Sequence, residues 1–479
     1  MLTSSDAKEI DLETIYPYIN KKLLYPLCET LYRSNIMSCY RQLVESDMYD
    51  EKTLQELQNR RIHSLAKHCY ENVKYYRDLF KRIKLTPDDI RKSEDLAKVP
   101  ILTKQIIREN YDSLISRDYR KRHVKYHSTG GSTGEPLRYL ADSDTWSMAW
   151  ASSFRAWKWY GLKVGEKIFT LAGSSLVGKK HDSLTRKDVF ERVLMRNKKH
   201  NVFLFGDTEM MSHYESYLGY HPSAIRGYPS ILYAFACFIE KNKLPVISPK
   251  VVLTTGEILL PMYRETIERV FLAPVYDSYG AGDGGIASHE CLKKNGLHVT
   301  EERCYIEICN TNGTPVPVGD HGHVISTDLY NYTFPFIRYQ VGDVSYIKKE
   351  KCSCGRQSKL LGEILGRSGK LLYTKAKYPV SPTILPIMLY PDLDYHKLEN
   401  QLLYNNIDKF QILQDARGDL IIYLKMKSSK HEDPVLYSYI VKNYEEIFVN
   451  SRVDIQFVAD IPLLPSGKES YVWSDFVPD

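Results

Sequence analysis

Apolar residues in the N-terminal part of the chain recur every three or four positions, at Ile62, Leu65, Ala66, Cys69 and Val73. Residues 1–100 also contain no glycine. This spacing is typical of helices that bury one face against a core. We therefore predict that residues 1–100 form a helical segment at the start of a larger domain.

Between residues 101 and 366, short apolar runs alternate with helical patterns and glycine turns. The strands predicted from these runs cover residues 167–172, 201–205, 251–254, 275–277 and 324–327. Strands that alternate with helices indicate an α/β domain with a largely parallel sheet. Ligands of such sheets bind in the loops that follow the carboxyl ends of the strands.

The pattern changes after residue 366. Predicted strands at 410–413, 420–425 and 453–458, with a helix at 435–448, indicate a small α+β domain of about 110 residues. The expected architecture is thus a large, multi-layer α/β domain with a helical N-terminal segment, followed by a small mobile domain at 367–479. No internal repeat interrupts this order.

Composition and charge argue against a nucleic-acid-binding protein and against a membrane-spanning protein. The chain has 479 residues, with 65 Lys and Arg against 59 Asp and Glu, and this weak basic bias does not argue for a nucleic-acid partner. No apolar run approaches the ~18 residues of a membrane span. The N-terminus lacks a basic region followed by an apolar stretch, so we expect a cytoplasmic protein.

One loop carries the strongest chemical signal. Its three glycines let the backbone approach a polyanion closely, and its four hydroxyls can contact phosphate oxygens. The alternative is a flexible polar turn, and the glycine-lysine-Ser/Thr ending of a Walker loop is missing. The residues are Ser128, Thr129, Gly130, Gly131, Ser132, Thr133 and Gly134.

Together with this loop, an ordered set of segments resembles the adenylate-forming superfamily of acyl-CoA synthetases. Within it, the chain resembles the phenylacetate-CoA ligase family and its CapK-like branch, which is associated with capsular polysaccharide. The resemblance runs from about residue 54 to residue 472. The segments are 95–104, 226–230, 255–257, 277–283, 327–343, 366–368 and 465–468.

The resemblance implies an ATP site at these segments. Tyr279 can stack on adenine, Asp277 can accept a hydrogen bond from its exocyclic amine, and Asp343 can take the ribose hydroxyls. Gly256, Glu257 and Ser278 belong to the same adenine segments.

The resemblance also implies catalytic and substrate residues. Lys468 matches the adenylation lysine, which with Mg²⁺ stabilises the charge that develops when a carboxylate attacks the α-phosphate. Arg367 matches the hinge arginine between the two domains. Tyr228 and Pro229 lie in the loop that faces the acid.

The chain departs from the family pattern at two positions. Asp283 stands where the family usually has a glutamate, and a shorter carboxylate can still hold Mg²⁺ directly or through water. Gly369 stands where the hinge usually has an aspartate, which puts the thioester-forming conformation in question.

The resemblance implies an AMP-forming ligase that activates a carboxylic acid as its acyl-adenylate and transfers the acyl group to CoA. One alternative is transfer to an amine in surface polysaccharide synthesis. Another is a non-catalytic binding protein on a ligase fold.

A second set of residues suits a metal. One histidine and three thiols, at Cys291, His298, Cys352 and Cys354, match a tetrahedral structural Zn²⁺ site. Two alternatives remain open: His289, Cys304 and Cys309 compete as ligands, and buried cysteines are also common as packing residues.

Overall fold

A computed structural model describes residues 12–128, 137–172, 194–202, 207–364, 372–376, 379–380, 385, 407–426, 434–461 and 472–476. Within them the helices are α1 Leu12–Ile19, α2 Tyr25–Tyr32, α3 Ile36–Glu45, α4 Glu51–Asn72, α5 Lys74–Arg82, α6 Lys104–Glu109, α7 Tyr111–Leu114, α8 Ser143–Trp159, α9 Asp207–Tyr220, α10 Pro229–Lys241, α11 Pro261–Phe271 and α12 Pro434–Ile447. A π-helical turn, Asn20–Leu24, joins α1 to α2. Among the described residues, no helix has the length and apolar character needed to cross a bilayer.

The N-terminal helices bury the predicted stripe. Ile62, Leu65, Ala66 and Cys69 of α4, with Val73 after it, are all at most 1% exposed. They pack in one core cluster with residues such as Phe334 and Phe336. Helix α4 begins where the Asp50 carboxylate accepts a hydrogen bond from the Thr53 amide at 2.7 Å, which satisfies one of the free amides of the first turn. The predicted helical segment is confirmed for its described residues.

An eight-stranded sheet forms the centre of the large domain. Its strands in spatial order are β13 Leu360–Leu361, β9 Leu297–Val299, β8 Ile286–Glu290, β7 Val275–Ala281, β6 Val251–Thr255, β5 Ala224–Gly227, β3 Ile168–Ala172 and β4 Asn197–Asn201. Strands β4, β3, β5, β6 and β7 run parallel, and β8, β9 and β13 continue the sheet antiparallel.

Helices cover both faces of this sheet. On one face, Phe169, Ile225 and Val252 pack with residues of α10 and α11. On the other face, Ile168, Ala224 and Val251 pack with α8. The alternation of the two sets along each strand follows the two-residue period of a β-strand. This three-layer arrangement confirms the predicted α/β class.

Two smaller sheets complete the large domain. Strands β10 Cys304–Cys309, β11 Gly322–Asp328 and β12 Tyr339–Ser345 form an antiparallel sheet. Strands β1 Lys125–Ser128 and β2 Arg138–Ala141 pair antiparallel, with Ser128 opposite Arg138. The glycine-rich loop therefore begins and ends at two paired strands.

The C-terminal part has its own mixed sheet. Strands β16 Ile407–Gln414, β17 Leu420–Met426, β18 Val453–Phe457 and β19 Val472–Ser474 lie in the order β18, β17, β16, β19, and a short pair β14 Leu372–Tyr373 and β15 Pro379–Val380 precedes them. With α12, these strands confirm the predicted α+β class. The boundaries at residues 100 and 366 stay predictions.

One predicted strand is wrong in position. A strand was expected at 201–205, but β4 covers Asn197–Asn201. The reason is that β4 lies at the edge of the sheet, where four of its five residues are only half-buried and polar side chains are tolerated. An apolar pattern therefore does not mark it. Residues 203–206 lie outside the described residues.

Candidate functional site

The loops after β5 and β6 meet at the carboxyl edge of the parallel strands. Gly256, which follows β6, has φ of +84°, and a Cβ there would lie 2.8 Å from the ring of Tyr228. Tyr228 follows β5 and is 5% exposed, and Pro229 is the first residue of α10. Only glycine fits this backbone conformation, and the absence of a side chain at Gly256 lets the Tyr228 ring lie directly against the loop.

Glu257 lies beside this contact. Its Oε2 accepts a hydrogen bond from the Ser230 amide at 3.1 Å, in the first turn of α10. Its Oε1 is buried and has no hydrogen-bond partner among the described residues. Burial raises the pKa of Glu257 to about 7, although the bonds with Ser230 act in the opposite direction. Because Glu257 Oε1 is buried without a hydrogen-bond partner in the described part of the chain, it can accept a hydrogen bond from a ligand in this loop.

Asp277 and Ser278 lie within β7 and point to opposite faces of the sheet. Asp277 Oδ1 accepts a hydrogen bond from the Thr254 hydroxyl at 2.6 Å, while the Ser278 hydroxyl donates to the Thr254 carbonyl at 2.8 Å. Burial is the main reason that the pKa of Asp277 rises to about 7, and the nearby Glu290 raises it further. Asp277 can therefore change its protonation state near neutral pH.

Two residues predicted to bind different parts of a nucleotide contact each other. The Tyr279 hydroxyl, on β7, donates to Asp343 Oδ2, on β12, at 2.8 Å. The two residues are 64 positions apart and belong to different sheets. Both are half-buried, so each side chain also reaches the surface. An aromatic ring can stack on a nucleotide base, and a carboxylate beside it can accept hydrogen bonds from the ribose that is attached to that base.

Asp283 is held in the tight turn between β7 and β8. The Tyr339 hydroxyl donates to Asp283 Oδ2 at 2.7 Å, and Ser326 donates to the Gly284 carbonyl at 2.6 Å. Gly285 has φ of +72°, and a Cβ there would clash with Asp328. Sequence reasoning did not identify Tyr339 and Ser326, although both lie near or within the 327–343 segment. Tyr339 fixes the Asp283 carboxylate, which is 8% exposed, and Ser326 fixes the turn next to it.

Several predicted residues lie outside the described residues. Ser128 is described as the last residue of β1. The residues whose surroundings are not described are Thr129, Gly130, Gly131, Ser132, Thr133, Gly134, Arg367 and Lys468.

The four predicted metal ligands come together. The sulfur and nitrogen atoms of Cys291, His298, Cys352 and Cys354 all lie within 4.8 Å of one another. Cys291 Sγ is 3.5 Å from Cys352 Sγ, and His298 Nε2 is 3.3 Å from Cys354 Sγ. His298 lies on β9, Cys291 directly follows β8, and Cys352 and Cys354 lie in the segment before β13, so the pairing of β9 with both strands brings the group together.

The surroundings of the group favour metal binding. His298 Nδ1 lies 3.0 Å from the Ser358 hydroxyl, which leaves Nε2 for a ligand role. Burial, and then Arg356, lower the pKa of His298 to about 4, so the imidazole is neutral. Burial opposes ionisation of Cys354, but hydrogen bonds from Arg356 lower its pKa overall. The neutral imidazole is the form that binds a metal, whereas burial raises the pKa of the Cys291 thiol to about 12.

The competing ligands lie elsewhere. Cys304 Sγ contacts the Thr300 carbonyl at 3.8 Å, and Cys309 Sγ lies 3.6 Å from Arg338 Nη2. His289 is not part of the group either. It is 8% exposed, and its Nε2 has no hydrogen-bond partner among the described residues. Burial first, and then Arg155, Arg226 and Arg303, lower the pKa of His289 to about 3.

The sequence is similar to those of known proteins. Protein CapK of Staphylococcus aureus is 24% identical over 425 residues, covering 87% of this chain and 88% of CapK. Phenylacetate-coenzyme A ligase of Escherichia coli (strain K12) is 29% identical over 340 residues, covering 69% of this chain and 74% of that enzyme. No family model matches the chain.

A solved structure matches the fold. It is 2-hydroxyisobutyryl-CoA ligase in complex with 2-HIB-AMP and CoA in the thioesterification state, with a TM-score of 0.62 and 19% identity, covering 90% of this chain and 91% of that one. The chain thus has the fold of an acyl-CoA ligase that forms an adenylate intermediate. By sequence the chain is similar to phenylacetate-coenzyme A ligases and to CapK.

Proposed function

We propose that the protein activates a carboxylic acid with ATP as an acyl-adenylate and then transfers the acyl group to CoA. The hydrogen bond between Tyr279 and Asp343 is the observation that carries the proposal. It joins the residue proposed to stack on adenine to the residue proposed to take the ribose hydroxyls. The relatives named phenylacetate-coenzyme A ligase support the same reaction class.

Each group has a role in the first step. The backbone and hydroxyls of Ser128 to Gly134 bind the phosphates, and Gly256 and Glu257 line the base. Asp283 holds Mg²⁺, which when bound neutralises phosphate charge. The Tyr339 hydroxyl orients the Asp283 carboxylate at 2.7 Å, so that it is positioned before the ion arrives. Lys468 stabilises the charge on the α-phosphate as the acid carboxylate attacks.

The second step needs an acceptor and a domain movement. Arg367 lies at the proposed hinge, and rotation of the small domain takes Lys468 away and admits the thiol of CoA. An amine acceptor is the alternative. It is tested by whether the acyl-adenylate reacts with CoA.

We also propose a structural zinc ion bound by Cys291, His298, Cys352 and Cys354. Three thiols and one imidazole with no open position suit tetrahedral Zn²⁺. The group lies beside a half-buried network in which Asp47 receives hydrogen bonds from Arg356 at 3.1 Å and from Trp159 at 3.0 Å. Zinc would therefore fix the β8, β9 and β13 region to the N-terminal helices.

The experiment measures pyrophosphate release over a panel of carboxylic acids, with and without CoA. The proposal predicts acid-dependent release with AMP as the second product, and faster turnover with CoA. Asp343→Ala should lose most of this activity. The exposed Asp320→Ala in the loop before β11 is the matched control. ADP as the product, or equal release by both variants, would contradict the proposal.

A further inference from the structure

We propose that the acid carries a second carboxylate, which Arg226 and His289 bind between helix α8 and the sheet. This inference rests on the proposed function, because it concerns the far end of the same substrate. It predicts a dicarboxylic acid, in contrast to an acid with an apolar tail.

Strand register places the two residues on the α8 face of the sheet. Arg226 on β5 is opposite Leu253 on β6, and Leu253 packs with Phe154 and Trp157 of α8. His289 on β8 is opposite Ser278 on β7, which points to this same face. Both residues therefore lie below the carboxyl edge at which Tyr228 and Gly256 meet, where the tail of an acid bound at that edge would extend.

Arg226 is positioned by aromatic rings. Its guanidinium carbon lies 5.9 Å from the ring centroids of both Trp150 and Trp157. Contacts with ring faces orient the planar group without using the N–H bonds at its edge. Arg226 has further contacts in the fold. A guanidinium has five N–H donors, however, and a carboxylate takes only two of them.

His289 provides the second, independent observation. It is more than nine-tenths buried, and no group in the described part of the chain bonds to its Nε2. Burying a polar atom without a partner costs free energy unless a ligand satisfies it. An oxygen of a distal carboxylate can accept a hydrogen bond from this nitrogen while it contacts Arg226.

Two further arginines act on this part of the fold, and each lies next to a carboxylate of the protein. Arg155 and Arg303 are both about 5% exposed and act electrostatically on His289 together with Arg226. Arg155 is paired with Glu302 at 2.6 Å, and Arg303 lies beside Asp328. Arg226 and His289 are the groups that a distal carboxylate would contact, and Trp146 and Trp150 provide apolar contact for the chain between the two carboxylates.

The experiment compares acids in matched pairs in which a methyl group replaces the distal carboxylate: glutarate with pentanoate, adipate with hexanoate, and isophthalate with 3-methylbenzoate. Pyrophosphate release gives kcat/KM for each acid. We expect the dicarboxylate of at least one pair to be favoured by about tenfold or more, since a site built for hydrogen bonds rejects the analogue that lacks them.

Variants of Arg226 test whether this residue causes the preference for the dicarboxylate over its methyl analogue. Arg226→Met should bring the ratio within that pair close to one, and Arg226→Lys should keep part of it because the charge remains without the planar fork. Arg269→Met on α11, which removes an exposed arginine paired with Glu240, should keep the wild-type ratio. Binding without ATP gives a second measurement: the dicarboxylate should change the fluorescence of the tryptophans beside Arg226, and Arg226→Met should abolish this change.

The possible failures are distinguishable. If monocarboxylates react and no dicarboxylate is favoured, or if Arg226→Met leaves the preference unchanged in a folded protein, the dicarboxylate inference is wrong and the ligase function stands. If no acid of any kind supports pyrophosphate release and no dicarboxylate changes the fluorescence, both the inference and the proposed function are wrong.

Discussion

Replacing Asp343 with alanine tests the nucleotide site most sharply. In the free protein, Asp343 Oδ2 accepts the hydrogen bond of the Tyr279 hydroxyl at 2.8 Å. The substitution removes a charged acceptor for the ribose and leaves the tyrosine hydroxyl without its partner. A hydrogen bond to a charged group contributes about 1.5 to 3 kcal/mol. ATP affinity should therefore fall by about tenfold to a hundredfold.

Two companion variants separate the ribose contact from the tyrosine contact. Tyr279→Phe keeps the ring for stacking and removes only the hydroxyl, so the loss should be about 0.5 to 1.5 kcal/mol. Asp343→Asn keeps an acceptor for Tyr279 without the charge and should lie between wild type and Asp343→Ala. The assay is calorimetric titration of ATP in the absence of acid. Unchanged affinity in Asp343→Ala would refute the ribose assignment.

Three further predictions concern the metal group, a buried carboxyl and the adenylation lysine. Purified protein should contain close to one zinc per chain, and Cys352→Ser should lose both the zinc and thermal stability, whereas Cys28→Ser should keep both; zinc-free wild type by metal analysis would contradict this. The pKa of Asp277 is raised from about 4 in the unfolded chain to about 7, so its contribution to stability is present below pH 4 and is lost as pH rises to 7. The Tm of wild type relative to Asp277→Asn should fall over this interval and stay level above it, and a level difference throughout would reject the raised pKa. Lys468→Ala should slow acyl-adenylate formation by about a hundredfold to a thousandfold with little change in ATP binding; equal loss of transfer from synthetic acyl-AMP would contradict a role confined to the first step.

Local periodicity was sufficient to predict several elements. The stripe from Ile62 to Val73 is fully buried, and the strands predicted at 251–254 and 275–277 fall within β6 and β7. Strand β4 was misplaced because an edge strand with half-buried lysines and a histidine carries no apolar pattern. Its neighbour β3 is buried at every position and was predicted within one residue.

The candidate site depended on contacts that spacing alone does not specify. The Tyr279 and Asp343 contact spans 64 residues, and only the resemblance to a family placed both at one nucleotide. Residue type alone indicates the metal ligands. It does not exclude Cys304 and Cys309, which only the pairing of β9 with β8 and β13 separates from the group. The sequence indicates His289 only as a competing metal ligand. Its buried position opposite Ser278 follows from strand register, which the sequence did not supply.

Exchange of labelled pyrophosphate into ATP tests whether the protein reversibly activates an acid by adenylation. This exchange needs the acid but no acceptor, so it isolates the first step from the choice between CoA and an amine. We expect acid-dependent exchange that Lys468→Ala lowers by about a hundredfold or more. Absence of exchange with every acid tested, including the dicarboxylates, in a protein that still binds ATP would contradict it.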